Sequence, residues 1–196
     1  MSRTVGSSGP KTLAAIHEAG LQLIYAKGYD AMTLRELAAK VGLQPGSLYN
    51  HIATKQALLF ELIHNHMVAL HDRIDVELEG MADPVEKLKA FIAFHLTYHI
   101  ERKREVFIGS AELRSLESKN YKRIIALRRK YEDILADILQ AGVVAKQFKT
   151  EDVHVSTYAI LAMLTGICTW YNPKGRVNYE KLIALHTRLV MHGVMK

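Results

Sequence analysis

Residues 33 to 55 read Thr-Leu-Arg-Glu-Leu-Ala-Ala-Lys-Val-Gly-Leu-Gln-Pro-Gly-Ser-Leu-Tyr-Asn-His-Ile-Ala-Thr-Lys, and few folds accept such a run. Thr33 and Glu36 have the spacing of a capping box, in which each side chain satisfies the other residue's helix-end amide, so a helix is expected to begin at Leu34. Met32 and Leu37 are placed to staple its entry. Leu34, Leu37, Ala38 and Val41 share an apolar face, Gly42 allows a sharp turn, and Pro45 suits the first turn of a short third helix over about 45–51. Two short helices joined at Val41 to Leu43 have helix-turn-helix geometry. Ala38 is small enough for a close crossing and Leu48 anchors the second helix, which leaves its other face for a DNA major groove. On spacing alone, a helix hairpin that only packs fits equally well.

The rest of the chain has helical periodicity, and no alternating pattern is long enough for a sheet. The Ser- and Gly-rich stretch Met1 to Pro10 reads as a flexible arm, and Arg3 and the neighbouring Lys11 read as stray charges on a floppy terminus rather than as minor-groove contacts. Helix one is expected over about 11–27, closed by Gly28. Thr54 caps a long fourth helix; Asp83, Pro84 and a returning Glu86 start a fifth; a shorter segment follows over about 105–116. A seventh helix carries Tyr121 to Leu139 and is closed by Gly142, Thr150 opens an eighth that is apolar all round, and Asn178 caps a ninth. The expected fold is all-α, with about nine helices.

The chain has 26 Lys and Arg against 20 Asp and Glu, a formal charge of +6, which favours a polyanionic partner without choosing among DNA, RNA and a lipid surface. A single cysteine, Cys168, excludes an intramolecular disulfide, and the first ten residues lack the apolar core of a signal peptide, so a cytoplasmic location is expected. The uncharged run Val155 to Tyr171 contains Ser156, Thr157, Thr165 and Thr169 and falls short of about 20 apolar residues, so it reads as a buried helix and not a membrane span. No nucleophile elbow, phosphate loop, dinucleotide fingerprint or zinc-protease motif is present, and no catalysis or cofactor is expected; an acyl-thioester enzyme is the rival from another class.

The pattern Thr-x-x-x-Leu-Ala-x-x-x-Gly, then Gly-x-Leu-Tyr-x-His, then Lys, together with Ala19-Gly20 and Lys27-Gly28-Tyr29, closely resembles the DNA-binding domain of the TetR family of transcriptional regulators over residues 11 to 60. The resemblance implies phosphate contacts from Tyr49, His51 and Lys55, with Thr33 reaching the backbone. Lys55 would sit in a helix first turn whose free amides also favour an anion. Gln44, Ser47 and Asn50, on the helix that Pro45 begins, are the candidates for base edges, because amide side chains pair bidentately with adenine. Gln44 stands where relatives often have Ser or Thr.

The same resemblance implies a flexible arm over 1–10, a three-helix DNA-binding domain over 11–55, and a ligand-binding and dimerisation domain over 56–196. It implies a cytoplasmic repressor that binds a palindromic operator as a homodimer through helices eight and nine, where Gly166 and Ala162 permit close helix approach. Trp170-Tyr-Asn-Pro-Lys-Gly-Arg176 resembles the turn of members that sense acyl-CoA thioesters, so Phe91, His95, His99, Trp170 and Arg176 are the candidate ligand contacts. The alternative is a regulator of an efflux or degradation operon that senses another hydrophobic molecule. Although His95 and His99 have a chelating spacing, no carboxylate or cysteine partner accompanies them, and packed or pocket-lining histidines are expected, with no metal. Helix four, running from Lys55 into the second domain, is the expected route by which ligand changes the spacing of two reading helices that must match half-sites about 34–36 Å apart.

Overall fold

The structure, a computed structural model, describes residues 9–196, in which nine α-helices occur and no strand. Arg3 lies outside the described residues. The helices are α1 (Gly9–Lys27), α2 (Leu34–Lys40), α3 (Pro45–Leu48), α4 (Lys55–Leu78), α5 (Pro84–Glu101), α6 (Lys103–Ala111), α7 (Ser118–Val144), α8 (Val153–Trp170) and α9 (Tyr179–Val194), with a 3-10 turn at Leu113–Ser115. The all-α expectation holds, and the differences lie at helix ends. Helix α1 starts at Gly9, so the last two residues assigned to the arm are helical.

The chain divides into two compact units, one built from residues up to His66 plus Arg104–Ile124, the other from Met67–Lys103 plus Ile125–Lys196. The first unit therefore takes in a segment that the sequence places in the second domain. Its core is Ile16, Ile24, Leu37, Ala38, Leu48, Ile52, Leu58 and Leu59, all with essentially no solvent exposure. Gly20 permits a close approach of α1 to α4: a Cβ there would lie 3.0 Å from the Leu58 side chain.

In the second unit, Leu88, Phe91, Ile92 and Leu96 of α5 form the centre of a core that also includes Leu135 and Leu139 of α7, Leu164 and Ile167 of α8, and Leu182 and Val190 of α9. Asp83 caps α5 by accepting from the Glu86 amide at 3.1 Å, but the Glu86 carboxylate does not return; it pairs with Lys89 at 2.9 Å. The acceptor role at Asp83 is reinforced by Gln147, whose Nε2 donates to it at 2.8 Å and holds its carboxyl below the ordinary value.

Two helix boundaries correct the sequence expectation. Helix α7 does not stop at Gly142 but runs to Val144, and Lys146 (φ 59°) takes the left-handed position. Gly142 is needed for space instead: its carbonyl accepts from the Gln147 and Phe148 amides, and a Cβ would lie 1.9 Å from the Phe148 ring. Asp152, not Thr150, caps α8, accepting from the Val155 amide at 3.0 Å. A carboxylate is the better acceptor at that positive helix end. Helix α8 is buried along one stripe only, Thr157, Ile160, Leu164 and Ile167, whereas Val155, Tyr158 and Trp170 are exposed. By length and composition α8 is also apolar enough to cross a membrane.

Candidate nucleic-acid interface and effector region

The capping box at α2 forms as expected. The Thr33 hydroxyl accepts from the Glu36 amide at 3.2 Å, and Glu36 Oε2 accepts from the Thr33 amide at 3.0 Å. The same carboxylate accepts a hydrogen bond from the Thr33 hydroxyl at 2.9 Å and pairs with Lys27 at 2.5 Å. The Lys27 ammonium first, then the two Thr33 donors, holds the Glu36 carboxyl down at about 2. Thr33 is thus a structural cap that is also exposed.

Helix α2 ends in a Schellman arrangement. Gly42 (φ +69°) donates to Ala39 O at 3.2 Å and Leu43 to Ala38 O at 2.9 Å, which satisfies the last carbonyls and turns the chain into α3. Ala38 and Leu48 are fully buried between the two helices, as their size and position require. Helix α3 is a single turn, shorter than expected, and His51 and Ile52 continue it as turn by donating to Leu48 O. Gln44 makes no side-chain cap bond, so its amide is not consumed by the helix start. Gln44, Pro45, Ser47, Tyr49 and Asn50 all face solvent, with Tyr49 56% exposed, and His51 is half-buried. A short helix seated by one leucine therefore presents a contiguous polar and aromatic surface.

Thr54 caps α4 by accepting from the Ala57 amide at 2.9 Å, which leaves Lys55 as the first helical residue. A cation at this end opposes the helix dipole. Its seat compensates: Lys55 Nζ donates to Asp30 O at 3.1 Å and lies 4.3 Å from the centroid of the Tyr29 ring. Sequence reading missed Tyr29 in this role, because the contact joins residues far apart in the chain. It also missed Arg35 and Lys40, exposed cations on α2 beside the reading helix; Arg35 in a helix first turn was the available signal.

Of the five expected ligand contacts, the structure brings three together inside the second unit. His95 is 1% exposed, its ring stacks 3.7 Å from that of His99, and the Phe91 ring stacks at 6.0 Å from it. His95 Nδ1 pairs with the Tyr131 hydroxyl at 3.2 Å and Nε2 with the Thr165 hydroxyl at 3.1 Å, so the neutral ring is satisfied at both nitrogens. Burial, then the adjacent His99, pushes the His95 pKa well below that of a free histidine. Tyr131 and Thr165 belong to this polar cluster and were not legible as such, since α7 and α8 meet α5 only in the fold. No group of three or more metal-type side chains occurs among the described residues.

Trp170 and Arg176 are elsewhere. Both are exposed at the α8–α9 turn, where Trp170 stacks on His186 at 6.2 Å and Asn172 accepts from the Gly175 and Lys174 amides. A groove of about 470 Å³ between α4 and α5 is lined by Arg73, Phe94, Thr97 and Tyr98, and a smaller one of about 280 Å³ between α7 and α8 by Arg129, Asp133, His154 and Tyr158. None of the five expected residues lines either groove.

A capped helix, a glycine turn and a one-turn helix with an outward polar face define a helix-turn-helix DNA-binding regulator. The family comparison places it further. Residues 16–62 match the model of bacterial regulatory proteins of the tetR family, and residues 81–194 match a tetracyclin repressor-like C-terminal domain. The chain belongs to the TetR family and is a transcriptional regulator of that type. It is 26% identical over 171 residues to the HTH-type transcriptional repressor KstR2 of Mycolicibacterium smegmatis, covering 86% of this chain and 83% of that protein. Among solved structures it resembles the TetR family transcriptional regulator PfmR of Thermus thermophilus (30% identity, TM-score 0.82, 90% of this chain and 97% of that one). It also resembles AibR, solved in complex with isovaleryl coenzyme A and operator DNA (26% identity, TM-score 0.84, 91% and 97%).

Proposed function

We propose that this chain is a cytoplasmic, homodimeric repressor that holds a palindromic operator through Gln44, Pro45, Ser47, Tyr49, Asn50, His51 and Lys55, with Thr33, Arg35 and Lys40 alongside, and is released by an acyl-CoA thioester. The observation that carries the reading is the exposed face of α3 beside the seated cation Lys55. Polar side chains on a rigid short helix suit base edges, and an ammonium at a helix N-terminus suits a phosphate. Pairing through α8 and α9 is supported by exposed apolar side chains on both: Tyr158 (57%) and Trp170 (57%) on α8, Leu189 (61%) on α9. That surface accounts for an apolar α8 without a membrane.

The acyl-CoA reading is supported by the likeness to AibR and by the aromatic and imidazole cluster of the second unit, in which Phe91, His95 and His99 would meet the acyl part while the turn carrying Trp170 and Arg176 would meet the phosphates. The same apolar interior also suits a different hydrophobic effector, as in a regulator of an efflux or degradation operon. Ligand would act through α4, which begins at Lys55 and continues into the second unit. Gel-shift titration on DNA upstream of the chain's own gene, with and without an acyl-CoA series, tests this. Retardation reversed by one chain-length class supports it. Acyl-CoA compounds that leave operator affinity unchanged remove the effector assignment, and thioester turnover without retardation would favour an enzyme.

A further inference from the structure

The segment Glu112–Glu117, which follows α6 within the first unit, links Tyr29, whose ring lies against Lys55, to Gln56, the next residue after Lys55. Gly28 (φ +83°) closes α1 by donating to Ile24 O at 2.8 Å, and the chain emerges with the Tyr29 amide directed out of the helix. Glu112 Oε1 accepts from that amide at 3.0 Å, and its second oxygen accepts from the Ser115 hydroxyl at 3.0 Å, so both carboxylate oxygens are held. On the other side stands Gln56, the neighbour of Lys55. Its Nε2 donates to Ser115 O at 2.7 Å and its Oε1 accepts from the Glu117 amide at 3.2 Å. One short connector thus holds the backbone of Tyr29, whose ring lies against the ammonium, and the helix turn that carries Lys55.

From this juxtaposition we propose that Glu112 and Gln56 are positioning residues for DNA binding, acting through Tyr29 to hold Lys55 where it meets a phosphate. The proposal rests on the reading of Lys55 as a phosphate contact. It has a sign that simple electrostatics would not give. Removing an acidic side chain from a DNA-binding unit ought to tighten binding to a polyanion. Loss of the seat instead frees a long, flexible lysine that must be ordered again at each binding event, which weakens it.

The test is a mutant cycle on the full chain, read by fluorescence anisotropy on a labelled duplex that the wild-type protein selects from a random pool, across a range of salt. Glu112→Ala is expected to weaken binding about five- to tenfold and to flatten the log-log salt slope by about 0.9, the loss of one phosphate contact. In a Lys55→Ala background it should cost no affinity and leave the slope as it is. Glu112→Gln keeps an acceptor for the Tyr29 amide while removing the charge, and should bind as tightly as wild type or more so. If Glu112→Ala does not fold, Gln56→Met cuts the same connector from the α4 side and carries the cycle with the same expectation. Wild-type affinity in Glu112→Ala or Gln56→Met, where Lys55→Ala is weakened, would overturn the positioning role, as would an equal loss in the Lys55→Ala background. No effect of Lys55→Ala itself would instead remove the phosphate contact on which the proposal stands.

Discussion

The rings of His95 and His99 lie stacked 3.7 Å apart at an interplanar angle of 13°, both buried, one helical turn from each other on α5. His99 Nδ1 donates to the His95 carbonyl at 2.8 Å, which fixes the tautomer of the second ring. His95 in this interior resists protonation, because its charge would be desolvated and would face the His99 ring.

The consequence is a pH dependence of stability. The folded His95 pKa lies below the ordinary 6.5, so the unfolded chain takes up the proton first as pH falls. Stability is complete above about pH 6.5 and declines below it, by up to about 1.4 kcal/mol per pH unit for one such proton. Urea denaturation between pH 8 and 5 should show this slope, and His95→Gln, which cannot titrate, should flatten it. Parallel slopes in the two proteins would show that His95 does not govern the effect.

Gly142→Ala should destabilise the second unit, because the new methyl would sit 1.9 Å from the Phe148 ring and the ring is buried. Overpacking of this kind costs about 1–3 kcal/mol. Gly46→Ala, in the first unit, meets nothing within 4 Å and serves as a contrast. A melting temperature lowered by the first substitution and not by the second is expected in thermal denaturation.

Leu189→Arg places a charge at a side chain that is 61% exposed in the single chain. A dimer built on α8 and α9 would bury that charge without a partner, so the variant should sediment as a monomer with unchanged helicity and lose operator affinity. A variant that sediments as a dimer would exclude α9 from the interface.

Thr33→Ala removes the acceptor for the Glu36 amide, at a cost of about 1 kcal/mol. It also removes the hydroxyl donor and loosens the amide donor that help hold the Glu36 carboxyl at about 2, so that carboxyl should move up toward its ordinary 4.5 in an NMR titration. A depressed carboxyl contributes stability above its unfolded pKa and loses it as pH falls toward the folded value, so the gap between wild type and variant should narrow in strong acid to the part that comes from the lost cap.

Gln44→Ala and Asn50→Ala should relax sequence preference at single operator positions, by about 1–3 kcal/mol of discrimination where the amide pairs with adenine. Selection from a random pool reads this out as lost information at one base pair per half-site. An unchanged motif would mean that these amides do not read bases.

Much of the architecture was legible in the residues alone, for identifiable reasons. Thr33, Glu36, Gly42 and Pro45 act through neighbours within five positions, so the start of α2, the turn at Gly42 and the restart at α3 could be placed to the residue. Gly142 and Thr150 were misread because their apparent local roles were overridden: Phe148 packs on Gly142 from outside the helix, and Asp152 is the stronger acceptor near Thr150. The all-round apolarity of α8 called for burial on more than one side, and the single chain buries one stripe only, because apolarity does not say what covers the rest.

Local sequence determined this protein's helices, its caps and the polar face of α3, since each depends on contacts between residues a turn apart. Tertiary structure alone decided that Tyr29 and Asp30 would seat Lys55, that Glu112 and Gln56 would hold that seat, and that Tyr131 and Thr165 would satisfy His95. These are pairings between helices distant in the chain, and a single helix's periodicity carries no information about which side chain of another helix will stand opposite its own.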